Sequence, residues 1–240
     1  MAAVCVLQLQ EEGKLSIKDP VEKHLPEFKG QWMMDGREGG KLILKRPARP
    51  ITIGDLLTHT AGVANTNSPR HESTLGELVM SYSKTPLNFE PGSKWSYSNA
   101  GINTLGRIVE VVSKIPFAKF LQKRVLDPCD MKDTTFWPTP AQAKRVAKSY
   151  RPDKKGELQQ VEVRFLAGGI SNRKRTPYPA GGLYSTAGDV TRFYQMMLSG
   201  GTYNGKRVLR KETAALMTQT QTGDIKTGFV EGMIWGLGFQ

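Results

Sequence analysis

The stretch Pro91-Gly-Ser-Lys-Trp-Ser-Tyr-Ser-Asn-Ala-Gly-Ile-Asn-Thr-Leu-Gly-Arg-Ile-Val-Glu-Val-Val-Ser113 decides how the chain reads. Pro91-Gly92 is a turn signal, and Trp95 to Tyr97 run extended into a helix that starts at Ser98 or Asn99. Beyond it the apolar residues Ile102, Leu105, Ile108, Val109 and Val112 recur at helical spacing, a stripe that has to be buried. Tyr97 and Asn99 therefore sit just before a rigid element, where alternation can turn both side chains the same way. A phenol able to move a proton and an amide able to grip a carbonyl then lie together. Asn99 also reads as an N-cap and Tyr97 as a packed ring, and the local sequence leaves both readings open.

Outward from this stretch, helix signals recur. Met1 to Gly13 reads as a helix closed by Gly13, apolar on nearly every side apart from Gln8, and so belongs in a core. Ser16-Ile-Lys-Asp19 resembles a capping box opening a short turn through His24 and Leu25. Thr52-Ile-Gly-Asp55, Thr74-Leu-Gly-Glu77, Thr139-Pro-Ala-Gln142 and Thr186-Ala-Gly-Asp189 are four more such boxes, each predicting a helix. Phe117 to Val125 continues helically to Asp127-Pro128, and Lys211 to Thr218 forms a last short helix. Leu42 to Leu44 predicts a minor strand, Ser149 to Tyr178 a basic insertion with weak strands at Gln160 to Val163, and Met233 to Gln240 a strand.

Composition is that of an ordinary globular chain of 240 residues, with no apolar run near the roughly 18 residues a membrane span needs. The formal charge of +12 attracts polyanions, yet Lys and Arg are scattered and no nucleic-acid module accompanies them, so nucleic acid is not an expected partner. Cys5 and Cys129 are too few for a disulfide framework, and spacing does not say whether they pair.

Several chemistries fail on context. His24, His59 and His71 match no metal-ligand spacing, so neither a metal nor a cofactor is expected. Gly200 to Lys206 fits a phosphate loop, but it follows a helix and Arg207 replaces the magnesium-binding hydroxyl. Ser-x-x-Lys occurs as Ser81 to Lys84 at a helix end and as Ser171 to Lys174 in a basic loop. Neither has the buried helix start that activates a serine. Lys226-Thr-Gly228 lies in a polar stretch and reads as coincidence.

Taken together and in order, several segments resemble the serine β-lactamase and penicillin-binding protein-like hydrolases, in the class C β-lactamase, D-alanyl-D-alanine carboxypeptidase and esterase branch. They are Leu7 to Leu15 with Asp19-Pro20, Leu56-Leu-Thr-His-Thr-Ala-Gly62, and Phe89-Glu-Pro-Gly92 leading to Tyr97-Ser-Asn99. Leu126-Asp-Pro128 with Met131 and Ala180-Gly-Gly-Leu-Tyr-Ser-Thr186 complete the set. The resemblance implies an α+β fold, a helical subdomain packed on an antiparallel sheet that is incomplete in this chain, with residues 1–240 forming one domain. It implies acyl transfer through an acyl-enzyme, with Tyr97 assisting proton transfer at a serine and Asn99 holding the substrate amide. The substrate would be a small molecule: a β-lactam, a D-Ala-D-Ala peptide or an ester. A periplasmic or secreted location would follow, and oligomeric state is unspecified. The family's Ser-x-x-Lys would precede Met1 and its Lys- or His-x-Gly would follow Phe239, so the chain reads as an internal fragment without its nucleophile. The alternative is an inactive homologue that binds cell-wall peptide or a protein partner.

Overall fold

The computed structural model describes residues 1–65, 72–161, 169–170 and 172–240. His71, Glu162, Val163 and Ser171 lie outside them. The first helix, α1 (Ala2–Glu11), is enclosed on all sides, with Val4 to Leu7 and Leu9 fully buried. The donor end of its one buried polar side chain is matched, because Gln8 Nε2 donates to Arg124 O and Val208 O at 2.9 Å each, while Oε1 is buried without a partner among the described residues. Gly13, at φ +69°, closes the helix in the left-handed conformation, as predicted.

The central stretch forms α4 (Asn99–Ser113), which packs against α1, α2 (Ile53–Leu57), α3 (Leu75–Ser83) and α5 (Phe117–Leu121). Leu105, Ile108 and Val109 are fully buried, while Ile102 and Val112 border the core. Each buried side chain of this size contributes about 1.5–3 kcal/mol, so the stripe anchors the helix whose first turn carries Asn99. Asn103 ties this core together: its Nδ2 donates to the Tyr82 hydroxyl of α3 and its Oδ1 accepts Ala180 N–H, both at 3.1 Å. The predicted boxes at Thr52, Thr74 and Thr139 all form, the last capping the single turn of α6 (Pro140–Ala143). The fourth differs. Thr186 caps α7 (Ala187–Leu198), but the Asp189 carboxylate turns instead to Asp133 N–H, the Thr134 hydroxyl and Arg192.

Strands are few. Among the described residues they form three two-stranded antiparallel ladders: β1 (Met33–Glu38) with β2 (Lys41–Lys45), β3 (Ser149–Pro152) with β4 (Leu158–Val161), and β5 (Thr202–Tyr203) with β6 (Lys206–Arg207). The last ladder occupies the phosphate-loop look-alike, whose Asn204-Gly205 corner is a left-handed hairpin turn. Helices with small antiparallel ladders make the fold α+β. Ser16 to Asp19 forms a turn with Ser16 N–H on Asp19 Oδ2, followed by 3₁₀ turns at Val21–Lys23 and Pro26–Phe28.

Met233 to Gln240 is not the predicted strand. It lies against α8 (Lys211–Thr218), with Leu237 N–H on Met217 O, and against α2, with Gly238 N–H on Leu57 O. Gly238 sits at φ +74° and a Cβ on Gly236 would fall 2.0 Å from Met217 O. Helix ends rather than a neighbouring strand receive its hydrogen bonds, and close approach requires both glycines.

Gly106 tests the packing of α4. Glycine to alanine inside a helix ordinarily gains about 1 kcal/mol. Here a Cβ would lie 2.2 Å from the Pro179 ring and 3.3 Å from Leu75. Overpacking of that kind costs about 1–3 kcal/mol, so Gly106→Ala is expected to lower stability by urea unfolding instead of raising it.

Candidate active site

The site begins at the end of α2. Its N-terminus is locked by Asp55, which closes the box with Thr52 and accepts both Arg49 Nη atoms at 2.6 and 2.9 Å. At its C-terminus Thr60 N–H bonds Asp55 O at 2.9 Å and His59 N–H bonds Leu56 O at 3.4 Å. That is a Schellman closure, and the residue in its left-handed position, at φ +60°, is His59 where glycine is the usual occupant. The chain then runs beside the loop ahead of α4: Asn88 N–H on Gly62 O, Gly92 N–H on Thr60 O and Ser96 N–H on His59 O, at 2.8–2.9 Å. A Cβ on Gly62 would lie 2.6 Å from Phe89 O, so only glycine allows this approach.

Ser98 joins the two segments. Its Oγ accepts Gly101 N–H at 3.0 Å as the N-cap of α4 and donates to Val63 O at 2.9 Å. Its own N–H donates to His59 Nδ1 at 3.1 Å. Asn65 completes the arrangement, Nδ2 donating to Tyr97 O at 3.0 Å and Oδ1 accepting Ala100 N–H at 3.1 Å. The cap is thus Ser98, and Asn99 is the first helical residue. Asn99 is half-buried and Tyr97 is 40% exposed. Among the described residues, neither the Asn99 amide nor the Tyr97 hydroxyl has a hydrogen-bond partner, so both are free to meet a ligand.

The Tyr97 ring lies in an aromatic cluster. It stacks on His59 at 4.6 Å between centroids and meets Phe229 at 6.0 Å, while Trp95 and Trp235 stand 5.2 Å apart beside them. Trp235 is fastened by Nε1–H on Leu57 O. Next to the cluster, Ser93, Lys94, Trp95, Asp224, Ile225 and Lys226 line an open groove. Lys226 reaches this groove from irregular backbone, and Thr227 beside it donates to Met233 O.

Nucleophiles are scarce here. Cys5 and Cys129 are free and buried, and burial pushes their thiols up to about 12 and about 11, so both stay protonated. Ser81 donates to Leu78 O within α3. Burial also lowers the His59 imidazole to about 4. A neutral ring with Nδ1 accepting from Ser98 carries its proton on Nε2. Sequence reasoning weighs His59 as a metal ligand and carries it within the Leu56 to Gly62 motif without giving it a role, and it does not single out Asn65. The signal for His59 is its position, one residue past a helix C-cap where glycine is expected.

A family model described as Beta-lactamase matches residues 1–240. The chain belongs to the beta-lactamase family. An uncharacterized protein of Mycobacterium tuberculosis is 32% identical over all of this chain and 62% of its own length. Lovastatin esterase of Penicillium rubens is 29% identical over 83% of the chain and 53% of that protein. EstCE1, a hydrolase with promiscuous acyltransferase activity, has a solved structure that superposes with a TM-score of 0.74 at 24% identity. That superposition covers 99% of this chain and 65% of EstCE1, and it establishes likeness of fold. The beta-lactamase-family chain thus spans between about half and two thirds of the length of the proteins it matches.

The His59 environment has a consequence for stability. A histidine whose folded pKa of about 4 lies below its ordinary 6.5 binds fewer protons folded than unfolded in between. Its contribution is complete above about 6.5 and is lost as pH falls through 4, by up to about 3 kcal/mol. Asp19 acts lower: burial pushes its carboxyl up, but bonds from Lys23, Ser16 and His24 outweigh that and hold it at about 2, below the usual 3.8. Melting temperature is therefore expected to fall between pH 6.5 and 4 in the natural chain, with His59→Asn flattening that part of the profile.

Proposed function

We propose that the protein carrying this chain is a serine hydrolase that works through an acyl-enzyme, and that Tyr97 and Asn99 are its catalytic pair within residues 1–240. The observation that carries this reading is the pairing of a free phenol and a free amide at the start of a buried helix, with Ser98 between them consumed as the cap. In such a site the serine hydroxyl attacks the substrate carbonyl carbon and passes its proton to the Tyr97 oxygen as the phenol hands its own proton to the lysine that accompanies the serine. The leaving alcohol or amine takes a proton back by the same route. Asn99 Nδ2 donates to the acyl group's carbonyl and holds it for attack.

The serine and its lysine lie outside residues 1–240. This is supported by the poor contexts of both Ser-x-x-Lys matches, and by relatives that are considerably longer than the chain. The substrate carries an acyl group on oxygen or nitrogen, as in an ester, a β-lactam or a D-Ala-D-Ala peptide. The similarity to lovastatin esterase and to EstCE1, a hydrolase with acyltransferase activity, favours an ester as the first probe.

In the longer, serine-bearing protein, Tyr97→Phe is expected to lower kcat for p-nitrophenyl acetate about 10²–10⁴-fold. The 240-residue chain alone is expected to hydrolyse it at background, since loss of a covalent nucleophile costs on the order of 10⁶. Turnover by the chain alone, or near-natural turnover by Tyr97→Phe, would overturn the assignment. A serine-bearing protein that binds D-Ala-D-Ala peptide through Asn99 without turning anything over would instead be a binding homologue.

A further inference from the structure

We propose that His59 and Asn65 are positioning residues, a two-sided clamp on Ser98 that sets the exit directions of Tyr97 and Asn99. The proposal rests on the reading of those two side chains as the working groups of the site. From one side, His59 Nδ1 accepts Ser98 N–H at 3.1 Å, and its ring lies against the Tyr97 ring at 4.6 Å. From the other, the Asn65 amide bridges the backbone on either side of Ser98, donating to Tyr97 O one residue before it and accepting Ala100 N–H two residues after it. Together they hold the backbone of residues 97, 98 and 100 while leaving the Tyr97 hydroxyl and the Asn99 amide uncommitted.

Three features argue that His59 is there for its acceptor and not as filler. It occupies a left-handed position at φ +60°, where a residue with a Cβ is strained and glycine is not. It is 3% exposed, and Nδ1 is matched to a backbone N–H that has no helical partner. Its plane is fixed by rings on three sides, Tyr97 at 4.6 Å, Trp235 at 4.9 Å and Trp95 at 6.1 Å. Glycine would relax the backbone and lose the clamp. Asparagine would tolerate the same backbone and place a carbonyl oxygen close to where Nδ1 stands.

Amide hydrogen exchange and nitrogen-15 NMR on the full chain test this without any substrate. At neutral pH the His59 ring is expected to carry its proton on Nε2. The Ser98 amide is expected to exchange about tenfold faster in His59→Gly than in the natural chain, beyond what any change in global unfolding stability accounts for. His59→Asn is expected to restore its protection. The Ala100 amide is expected to respond in the same way to Asn65→Ala and to be protected in Asn65→Asp. A proton on Nδ1, or equal Ser98 exchange in natural chain and His59→Gly, would overturn the clamp. In the serine-bearing protein, His59→Gly should lower kcat with KM nearly unchanged, and His59→Asn should recover most of it. Recovery failing while Ser98 protection is restored would overturn the positioning role. If the exchange results hold and Tyr97→Phe still turns over normally, the clamp stands and the catalytic role of Tyr97 fails.

Discussion

Everything near the site depends on how one residue is used up. Ser98 offers a backbone donor and a hydroxyl that both gives and accepts, and all three are spent within the protein, on the His59 ring, Val63 O and Gly101 N–H. An N-cap of this kind is worth about 1 kcal/mol, and its hydrogen bonds are shielded because Ser98 is buried. The neighbours on either side are thereby released. Among the described residues the Tyr97 hydroxyl and the Asn99 side-chain amide have no hydrogen-bonding duty, and that is the condition for a chemical one.

The scaffold explains why this arrangement holds still. α4 is gripped by four other helices, and α2 is held at its start by the bidentate Arg49–Asp55 pair and at its end by Trp235 and Gly238 on Leu57 O. Buried polar groups in the core are mostly matched. Gln8 and Asn103 link segments far apart in the chain through hydrogen bonds that would each leave a costly orphan if broken. The left-handed His59 stores strain at the junction of the two held segments, and the surrounding hydrogen bonds over-determine it.

Local chemistry was legible in the sequence where the partners are close in the chain. Thr52 with Asp55, Thr74 with Glu77 and Thr139 with Gln142 cap their helices as the three-residue spacing predicts. At Thr186 the cap forms as well, but without the reciprocal carboxylate bond, because Asp189 is recruited by Asp133 and Thr134, more than fifty residues away. Met233 to Gln240 looked like a strand because its residues favour one. The hydrogen bonds offered by α8 and α2 decided otherwise. Fold and family were legible from short motifs in a fixed order, and the match over residues 1–240 agrees. Asn65 was not legible, since its two partners lie 32 and 35 residues ahead.

The most direct measurement is a crystal structure of the serine-bearing protein after reaction with an ester-like phosphonate, which traps the tetrahedral state on the nucleophile. Tyr97 Oη is expected within about 2.6–3.2 Å of the phosphonylated serine oxygen, with Asn99 Nδ2 on the ligand's acyl side. An adduct formed away from both residues, with Ser98, His59 and Asn65 still bonded as described, would contradict the claim that this clamp serves catalysis.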